Sequence, residues 1–499
     1  MTVAAARPRA APARREVTGA LLHAALAPLV ERALGRGRRT LLAVTLPTVW
    51  RDPIELYAAA QERGQAPTLW MQPGEGFGLV AIGAAWTTRA TGRGRFQAAA
   101  ESWAALLAGA FLRPEDEHGR GAGPVLVGGF PFAPTDERHD PIWHGFERSS
   151  LILPRLLLTL RSDGAWLTAA VVADADPDAD DPTERAIEHT ADLARLWDEL
   201  RVGAPTVPVT PADVPLRSLG SSTRATEAGA TARAAWQATV IRLAGAVGRG
   251  RLDKVVLARR VDLVADEPLE VPRVLRRLEA TAPESTVFAL THRGRTFLGA
   301  TPERLVRTEG REFRTVAMAG STGRGIDATE DERLAAALLE SDKDREEHRV
   351  VVDMLRDALR PLSERLDVDG EPSVVRLRHV QHLVTELRGR LGERAGILAL
   401  VDRLHPTPAV GGQPRAVAQQ LIDELEHLDR GWYAGPVGWL DRHGDGEFVV
   451  AIRSAIVGGS TASLFAGCGI MADSDPDTEW AESEMKLRSV ATALGRVVT

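Results

Sequence analysis

The stretch PDTEWAESEMKLRS, residues 476–489, carries a pattern that links the fold of the chain to its chemistry. Glu479, Glu482 and Lys486 are spaced i, i+3 and i+7, so on an α-helix they lie along one side. The apolar stripe that this line borders consists of Trp480, Leu487, Val490 and Leu494. A helix with such a stripe packs on a core, so two carboxylates and an ammonium group are predicted to face inward.

A second acidic segment, SDKDREEHRVVVDML (341–355), repeats this pattern. Asp344 and Glu347 are three residues apart, and Val351 and Met354 continue the same helical face. Buried carboxylates are costly unless they are paired or bound to a metal, and oxygen ligands of this kind favour Mg²⁺. The alternative is that both segments are solvent-exposed ladders of charged residues, which are common on helices.

The amino-acid composition is that of an ordinary globular protein. Of 499 residues, 44% are hydrophobic and 26% charged, and the net charge of −7 gives no reason to expect nucleic acid or an anionic membrane as partner. A single cysteine predicts no internal disulfide and no cysteine-based zinc site. It also fits a reducing cytosol, so we expect a cytoplasmic protein. The sequence has no apolar run of the roughly 20 residues that a membrane span needs.

The order of predicted elements indicates the fold class. Short β-like runs punctuated by Gly and Pro fill residues 40–180, and residues 204–228 are predicted to be a linker. The second half alternates strands and helices irregularly, with one long helix predicted near residues 329–361. The sequence shows neither a regular βαβ rhythm nor a phosphate-binding loop, which favours an antiparallel α+β architecture.

Ten short segments, in this order along the chain, resemble one enzyme family. They are KVVLAR (254–259), LGATPERL (298–305), AMAGSTGRG (317–325), SDKDREEHRVVV (341–352), QHLVTEL (381–387), LHPTPAVGG (404–412), GWYAGPVGW (431–439), AIRSA (451–455), AGCGI (466–470) and EWAESEMK (479–486). The family is that of the chorismate-utilising enzymes, which includes the anthranilate, aminodeoxychorismate and salicylate synthases. Within it, the chain is most similar to the isochorismate synthases.

The resemblance implies a fold, a domain organisation and a reaction. The fold is anthranilate-synthase-like, with two large, mostly antiparallel β-sheets packed as a sandwich and helices on the outside. The implied division is a disordered tail (1–16), a β-rich N-terminal half (17–235) and a chorismate-binding catalytic region (236–499). The implied reaction is the reversible, Mg²⁺-dependent conversion of chorismate to isochorismate for menaquinone or siderophore biosynthesis. Water attacks ring carbon 2 and the hydroxyl group of carbon 4 leaves, so the enzyme is an isomerase.

Two alternatives to this reaction remain open. One is a salicylate synthase that also expels pyruvate, and the other is a chorismate-binding relative without activity. The resemblance leads us to expect no glutaminase subunit and a monomer or weak homodimer.

The resemblance assigns the catalytic roles to Lys254 and Glu303. Lys254 would be the general base that activates water, and Glu303 the general acid that protonates the leaving hydroxyl group. Such an acid needs a raised pKa. Each residue also has a commoner structural explanation, namely an exposed lysine at a strand edge and a glutamate at a turn or helix start after Pro302.

The resemblance also assigns the metal and substrate ligands. Glu347 and Glu482 would bind Mg²⁺ directly, while Glu479 and Asp344 would hold coordinated waters or orient the direct ligands. The predicted substrate-binding residues are Gly320, Thr322, His382, Ala409, Tyr433, Arg453, Gly467 and Lys486.

Three of the substrate-binding assignments bear directly on function. Arg453 and Tyr433 would share one carboxylate of the substrate. Ala409 stands where salicylate synthases tend to carry Thr, which implies that the product keeps its enolpyruvyl group. For the charged and aromatic members of this set, surface ion pairs or simple packing are the alternatives.

Overall fold

The computed structural model describes most of the chain. The described ranges are 15–34, 39–112, 118–134, 140–146, 149–173, 182–210, 214–222, 230–376, 380–393 and 395–498. The predicted tail at residues 1–16 therefore lies outside the described residues except for its last two positions. No helix in these ranges is long and apolar enough to cross a membrane.

The helices are numbered in chain order. They are α1 (Gly19–Leu34), α2 (Pro53–Glu62), α3 (Arg95–Leu107), α4 (Pro182–Val202), α5 (Ala230–Gly248), α6 (Val271–Thr281), α7 (Ala328–Glu340), α8 (Asp342–Leu359), α9 (Ile397–Leu404), α10 (Arg415–Leu425) and α11 (Pro476–Leu494). The acidic stretch of the sequence thus forms α11, as its spacing predicts.

The first sheet has 13 strands, which are numbered along the chain. In spatial order they are β1 (Thr40–Thr48), β8 (Gly164–Ala173), β7 (Leu156–Arg161), β3 (Phe77–Ile82), β2 (Pro67–Gln72), β11 (Thr286–His292), β12 (Arg295–Thr301), β21 (Ser454–Gly458), β22 (Thr461–Ile470), β10 (Lys254–Ala265), β9 (Pro215–Ser222) and β23 (Arg496–Val498), with β18 (Gly412–Gln413) also paired to β10. All of these pairs are antiparallel except β9 with β23.

The second sheet has 10 strands, and every pair in it is antiparallel. In spatial order they are β15 (Ser363–Val368), β17 (Val380–Leu391), β14 (Glu312–Gly323), β13 (Arg304–Glu309), β20 (Gly446–Val450), β19 (Pro436–Asp441), β5 (Val125–Gly129), β6 (Ser149–Leu153) and β4 (Trp86–Ala90), with β16 (Ser373–Arg376) paired to β17. Both sheets contain strands from both predicted halves of the chain, because β2 pairs with β11 and β5 pairs with β19.

The two sheets face each other across an apolar core. Phe77 of the first sheet and Trp439 of the second lie with ring centroids 5.4 Å apart, and both belong to one buried cluster. A second buried cluster joins the first sheet to α1, α2, α4, α6 and α11. In α11, Leu487, Val490 and Leu494 are buried in this second cluster. The predicted α+β sandwich with helices outside is confirmed.

Two predicted elements are wrong in detail. The long helix near 329–361 is two helices, because Ser341 has extended backbone angles (φ −70°, ψ 110°) and its side chain caps the amide of Asp344. Serine favours such a cap position over a helix interior. The predicted linker contains β9, a strand that forms because β10 offers it a hydrogen-bonding edge.

A buried carboxylate ties the two sheets together. Glu447 in β20 is fully buried, accepts hydrogen bonds from Gln72 in β2 (2.7 Å) and Arg304 in β13 (2.7 Å), and is also bound by Arg120 (2.8 Å). Glu447→Gln is expected to lower the free energy of unfolding by about 3 kcal/mol, because it removes the buried partner of two half-buried guanidinium groups and leaves them only the exposed Glu75 as counterion. Urea unfolding followed by circular dichroism would measure the change.

The matched control is Glu312→Gln, whose side chain is 49% exposed beside Arg390. We expect that variant to cost less than about 1 kcal/mol, as exposed ion pairs do. Equal effects of the two substitutions would show that the Glu447 network contributes no more than a surface pair.

Candidate active site

Lys254 lies at the first position of β10, where it contacts an acidic helix. Its Nζ donates a hydrogen bond to Glu347 Oε1 of α8 at 2.6 Å. The neighbouring strand β22 leaves room for this side chain, since a Cβ at Gly469 would come within 2.4 Å of Lys254 Cε. The ammonium group is partly buried, with 16% of the side chain exposed, so Lys254 is not a freely solvated strand-edge lysine.

Glu303 lies in the short link between β12 and β13. It precedes a strand, so the alternative of a glutamate at a helix start does not hold. Its side chain is half-buried, and burial raises the pKa of Glu303 to about 7. A hydrogen bond from Thr407 Oγ1 (3.5 Å) and the charges of Arg453, Lys254 and Lys486 act in the opposite direction without cancelling the effect of burial on the pKa.

Two carboxylates of α11 meet beside β22. One ligand atom each from Cys468, Glu479 and Glu482 lies within 4.8 Å of the others. Glu479 is only 8% exposed, and its Oε1 accepts a hydrogen bond from Ser474 at 2.7 Å. Among the described residues, nothing hydrogen-bonds to its buried Oε2. Burial, together with the charge of Glu482, raises the pKa of Glu479.

The second acidic pair lies on α8, near the start of that helix. Asp344 accepts a hydrogen bond from Ser341, while Glu347 is the partner of Lys254. An ion pair between Lys343 and Asp473 (2.9 Å) joins the beginning of α8 to the loop before α11. The charge of Lys254 also acts on Glu479, so the two acidic helices meet around this lysine.

These contacts differ among the four predicted metal ligands. The structure groups Glu479 with Glu482, whereas Glu347 is paired with Lys254 and Asp344 with Ser341. The assignment of Glu347 and Glu482 as the direct ligands stays a prediction.

Arg453 lies between the acid and the α11 carboxylates. Burial lowers the pKa of its guanidinium group, and the charges of Tyr433, Glu482 and Glu303 oppose that effect. Its backbone has a positive φ of 51°, which is uncommon for a residue other than glycine. Within the described part of the chain, no ion pair or hydrogen bond engages this guanidinium group, so it is available for an anionic ligand.

Tyr433 and Gly467 form the wall beside Arg453. Tyr433 is buried, stacks on Phe465 with ring centroids 5.1 Å apart, and has its pKa raised by burial. A Cβ at Gly467 would lie 3.2 Å from the hydroxyl oxygen of Tyr433. The carbonyl of Gly467 accepts a hydrogen bond from Lys486 Nζ at 2.9 Å, and Lys486 also pairs with Glu482.

Gly320 and His382 lie on β14 and β17, at a bulge in the second sheet. Gly320 has φ +76°, and a Cβ there would lie 3.2 Å from Cβ of Asp344, so glycine lets α8 approach the strand. His382 Nδ1 lies 2.7 Å from Ser321 Oγ. Burial and the charges of Arg453 and Lys486 lower the pKa of His382 to about 4, so the imidazole is neutral near pH 7.

Thr322 and Ala409 are the two predicted residues whose side chains make no connection to this group. Both are half-buried, Thr322 at the end of β14 and Ala409 in the loop between α9 and β18. Among the described residues, no side-chain hydrogen bond links either one to the other predicted site residues.

Several residues that support the site were missed in the sequence. Thr407 reaches Glu303, Ser474 holds Glu479, and Ser321 contacts His382. All three lie within or beside the recognised segments, which is the only signal that could have found them. The partners of Thr407 and Ser321 are 104 and 61 residues away, so spacing alone gives no indication of those two contacts, whereas Ser474 lies five residues before Glu479.

A buried ion pair, Glu426 with Arg430, was also missed. Glu426 accepts a hydrogen bond from the amide of Ala258 (2.8 Å), and Arg430 donates to the carbonyls of Val256 and Val410 (2.8 Å each). The pair thereby joins β10 to the loop that carries Ala409. The i, i+4 spacing just before the GWYAGPVGW segment was the available signal.

The site combines four kinds of group: an ammonium group paired with a carboxylate, a carboxyl group with a pKa of about 7, a guanidinium group without a partner among the described residues, and an acidic cluster in which Glu479 is buried and Glu482 partly exposed. Such a set can bind an anion and a cation side by side and can transfer protons near neutral pH.

Comparisons with known proteins identify the class. The model of the family described as "Chorismate binding enzyme" matches residues 28–495, so the chain belongs to this family. It is 38% identical over 481 residues to the salicylate biosynthesis isochorismate synthase of Pseudomonas aeruginosa, with 95% of each chain covered.

Solved structures agree with this placement. The menaquinone-specific isochorismate synthase of Escherichia coli matches with a TM-score of 0.73 and 26% identity, covering 94% of this chain and 99% of that one. Anthranilate synthase component I of Streptococcus pneumoniae shares the fold, with a TM-score of 0.63, 21% identity and coverage of 83% and 92%. The family predicted from the ten segments, and its isochorismate synthase branch, are confirmed.

Proposed function

We propose that this protein is an isomerase that converts chorismate reversibly into isochorismate. Water adds at ring carbon 2, the double bond shifts, and the hydroxyl group of carbon 4 leaves as water. The observation that supports the proposal is that the charge of Lys254 acts on the carboxyl group of Glu303, whose pKa burial raises to about 7. The similarity to isochorismate synthases supports the same reaction.

The two catalytic residues divide the proton transfers. Lys254, in its neutral form, accepts a proton from the attacking water. Burial raises the pKa of Glu303 to about 7, so a large fraction of this acid is protonated at neutral pH and gives its proton to the leaving hydroxyl group. One proton is taken up and one is released, so the net reaction is an isomerisation.

The remaining residues hold the substrate. Arg453 binds a carboxylate of chorismate because its guanidinium group is half-buried and unpaired among the described residues, and the hydroxyl group of Tyr433 shares that carboxylate. Lys486 balances the second negative charge, and Gly320, Gly467, Thr322 and His382 shape the surroundings of the ring. The small side chain of Ala409 leaves the enolpyruvyl group in place, so pyruvate is retained.

The α11 carboxylates fit a hard divalent cation. Glu479 offers a buried oxygen without a hydrogen-bond partner beside the carboxylate of Glu482, and Mg²⁺ prefers such oxygen ligands. We infer that Glu482 and Glu347 bind Mg²⁺, with Glu479 and Asp344 in support. When bound, Mg²⁺ acts as a template and electrostatic clamp for a carboxylate of the substrate.

We further expect this protein to act in the cytoplasm as a monomer or weak homodimer, without a glutaminase subunit. Its product would enter menaquinone or siderophore biosynthesis. The similar isochorismate synthases belong to both menaquinone-specific and salicylate-producing branches, so their names do not choose between these fates.

The test is a product assay. Purified protein, chorismate and Mg²⁺ are incubated, and the mixture is separated by chromatography. We expect isochorismate as the main product, loss of turnover on chelation with EDTA, and recovery on adding Mg²⁺. Salicylate plus pyruvate as the main products would overturn the proposal in favour of a salicylate synthase. No turnover by folded protein would instead indicate a chorismate-binding relative without activity.

A further inference from the structure

The only cysteine of the chain lies against the two α11 carboxylates. Cys468 is fully buried on β22, and its Sγ donates a hydrogen bond to the carbonyl oxygen of Glu479 at 3.3 Å. One carboxylate oxygen each from Glu479 and Glu482 lies within 4.8 Å of this sulfur atom and of the other carboxylate oxygen. The cysteine count alone predicts no cysteine-based metal site, but the fold supplies two further ligands of a different kind.

The burial and incomplete hydrogen bonding of Glu479 independently indicate a cation in this cluster. Its side chain is more than nine-tenths buried, and Ser474 engages only Oε1. Oε2 is buried without a hydrogen-bond partner among the described residues, and one oxygen of this carboxylate lies within 4.8 Å of the sulfur atom and of a Glu482 oxygen. A buried carboxylate oxygen left in this state is costly unless a cation or a donor completes it.

We propose that Cys468, Glu479 and Glu482 form a binding site for a thiophilic divalent cation, Zn²⁺ or Cd²⁺. Thiolate and carboxylate together are a normal ligand set for Zn²⁺, and three protein ligands leave a fourth position for water. Mg²⁺ does not use the sulfur atom, because hard cations select oxygen. The same pocket therefore holds a harder cation through its carboxylates and a softer one through sulfur as well.

The binding step balances without any redox chemistry. The S–H bond of Cys468 breaks, the sulfur–metal bond forms, and the proton passes to the buffer. The hydrogen bond from Sγ to the carbonyl oxygen of Glu479 is lost, and a metal–sulfur bond replaces it. A thiol that coordinates such a cation is deprotonated by the cation itself, so each bound cation releases about one proton.

The consequence is a metal-selective inhibition that rests on the proposed function. If Glu482, supported by Glu479, binds Mg²⁺ during turnover, Zn²⁺ and Cd²⁺ compete for these carboxylates with the sulfur atom as an additional ligand. Divalent first-row metals bind nitrogen, oxygen and sulfur sites more tightly toward the end of the series, which favours Zn²⁺. We expect the soft cations to inhibit competitively against Mg²⁺.

The test uses Cd²⁺ alone, with the full-length protein freed of any affinity tag. Because the chain has one cysteine, an ultraviolet thiolate-to-cadmium charge-transfer band reports Cys468 and no other residue. We expect the band to saturate at one Cd²⁺ per chain with release of about one proton. Cys468→Ser should abolish the band, and Glu479→Gln and Glu482→Gln should each weaken Cd²⁺ binding at least about 10-fold.

The control is Asp477→Asn, also on α11, where the exposed carboxylate pairs with Arg233 outside the cluster. It should leave the band and the affinity unchanged. Absence of the band in folded protein would refute the site, and so would an undiminished affinity in both glutamate variants. Circular dichroism establishes that each variant is folded.

A Mg²⁺ titration separates this proposal from the proposed function. If Mg²⁺ raises the apparent Kd for Cd²⁺, the two cations share the carboxylates. If Mg²⁺ has no effect while the band and its dependence on Glu479 persist, the soft-metal site stands and the proposed placement of Mg²⁺ at Glu482, with Glu479 in support, is wrong.

Discussion

Lys254→Ala is expected to lower kcat by roughly 10²–10⁴-fold, the range for loss of a general base, with a much smaller change in KM. The reason is that no other ammonium group among the described residues lies at the end of β10 beside both Glu347 and the site of Glu303. The substitution also leaves Glu347 without its partner, but that side chain is 24% exposed and can be solvated. Initial rates of isochorismate formation at several chorismate concentrations separate kcat from KM.

A second variant separates base catalysis from simple charge. Lys254→Arg keeps a cation next to Glu347, but a guanidinium group does not lose its proton in proteins. We expect it to be as inactive as the alanine variant. Arg349→Ala is the control, because Arg349 makes exposed ion pairs with Glu346 and Asp353 on α8 and forms no hydrogen bond or ion pair with the proposed site residues that the structure describes, and its kcat should stay close to the wild-type value. If the kcat of Lys254→Arg lies within a few fold of the wild-type value, Lys254 is not the general base and contributes only its charge.

The contacts of Lys254 show which features residue spacing in the sequence predicts and which it does not. The i, i+3 spacing of acids on α8 and α11 is local, and both helices formed with those residues near their starts. That both helices meet at one lysine depends on β10 lying beside β22 in the first sheet, which is a pairing across more than 200 residues. Only the resemblance to a known family could supply that pairing in advance.

Other features depended on contacts that no local pattern encodes. The residues of β9 have a composition typical of a loop, and they form a strand because they pair with the backbone of β10. The division of one predicted helix at Ser341 was a local signal that was missed, since Ser followed three residues later by an acid is a familiar helix start. The sequence around Cys468 gives no indication of nearby carboxylates, and only the fold brings two of them to it.

The pH dependence of the reaction is expected to report Glu303. The forward reaction needs its protonated form, and the pKa in the folded protein is about 7. Below pH 7 the acid is protonated, so kcat/KM should not fall on account of this group. Above pH 7 the protonated fraction drops about tenfold for each pH unit, so kcat/KM should show a falling alkaline limb that begins near pH 7. Initial rates from pH 6 to pH 9 would define this limb.

Thr407→Val tests the assignment of that limb. Thr407 donates a hydrogen bond to Glu303 Oε1, which stabilises the ionised form and lowers the pKa. Removing the hydroxyl group should therefore raise the pKa of Glu303 and move the alkaline limb to higher pH. Thr492→Val is the matched control, since its hydroxyl group bonds only to the carbonyl of Arg488 on the exposed side of α11. That variant should keep the wild-type profile.

Glu303→Gln tests the role of the acid directly, because it removes the ionisable group while keeping the shape of the side chain. We expect kcat to fall by roughly 10²–10⁴-fold, as for other losses of a general acid, and the residual rate to lose the alkaline limb. The limb is the decisive readout, since a merely structural role would lower the rate without changing its pH dependence. If Glu303→Gln retains the limb, or if Thr407→Val moves it to lower pH, the proton that reaches the leaving hydroxyl group comes from another residue.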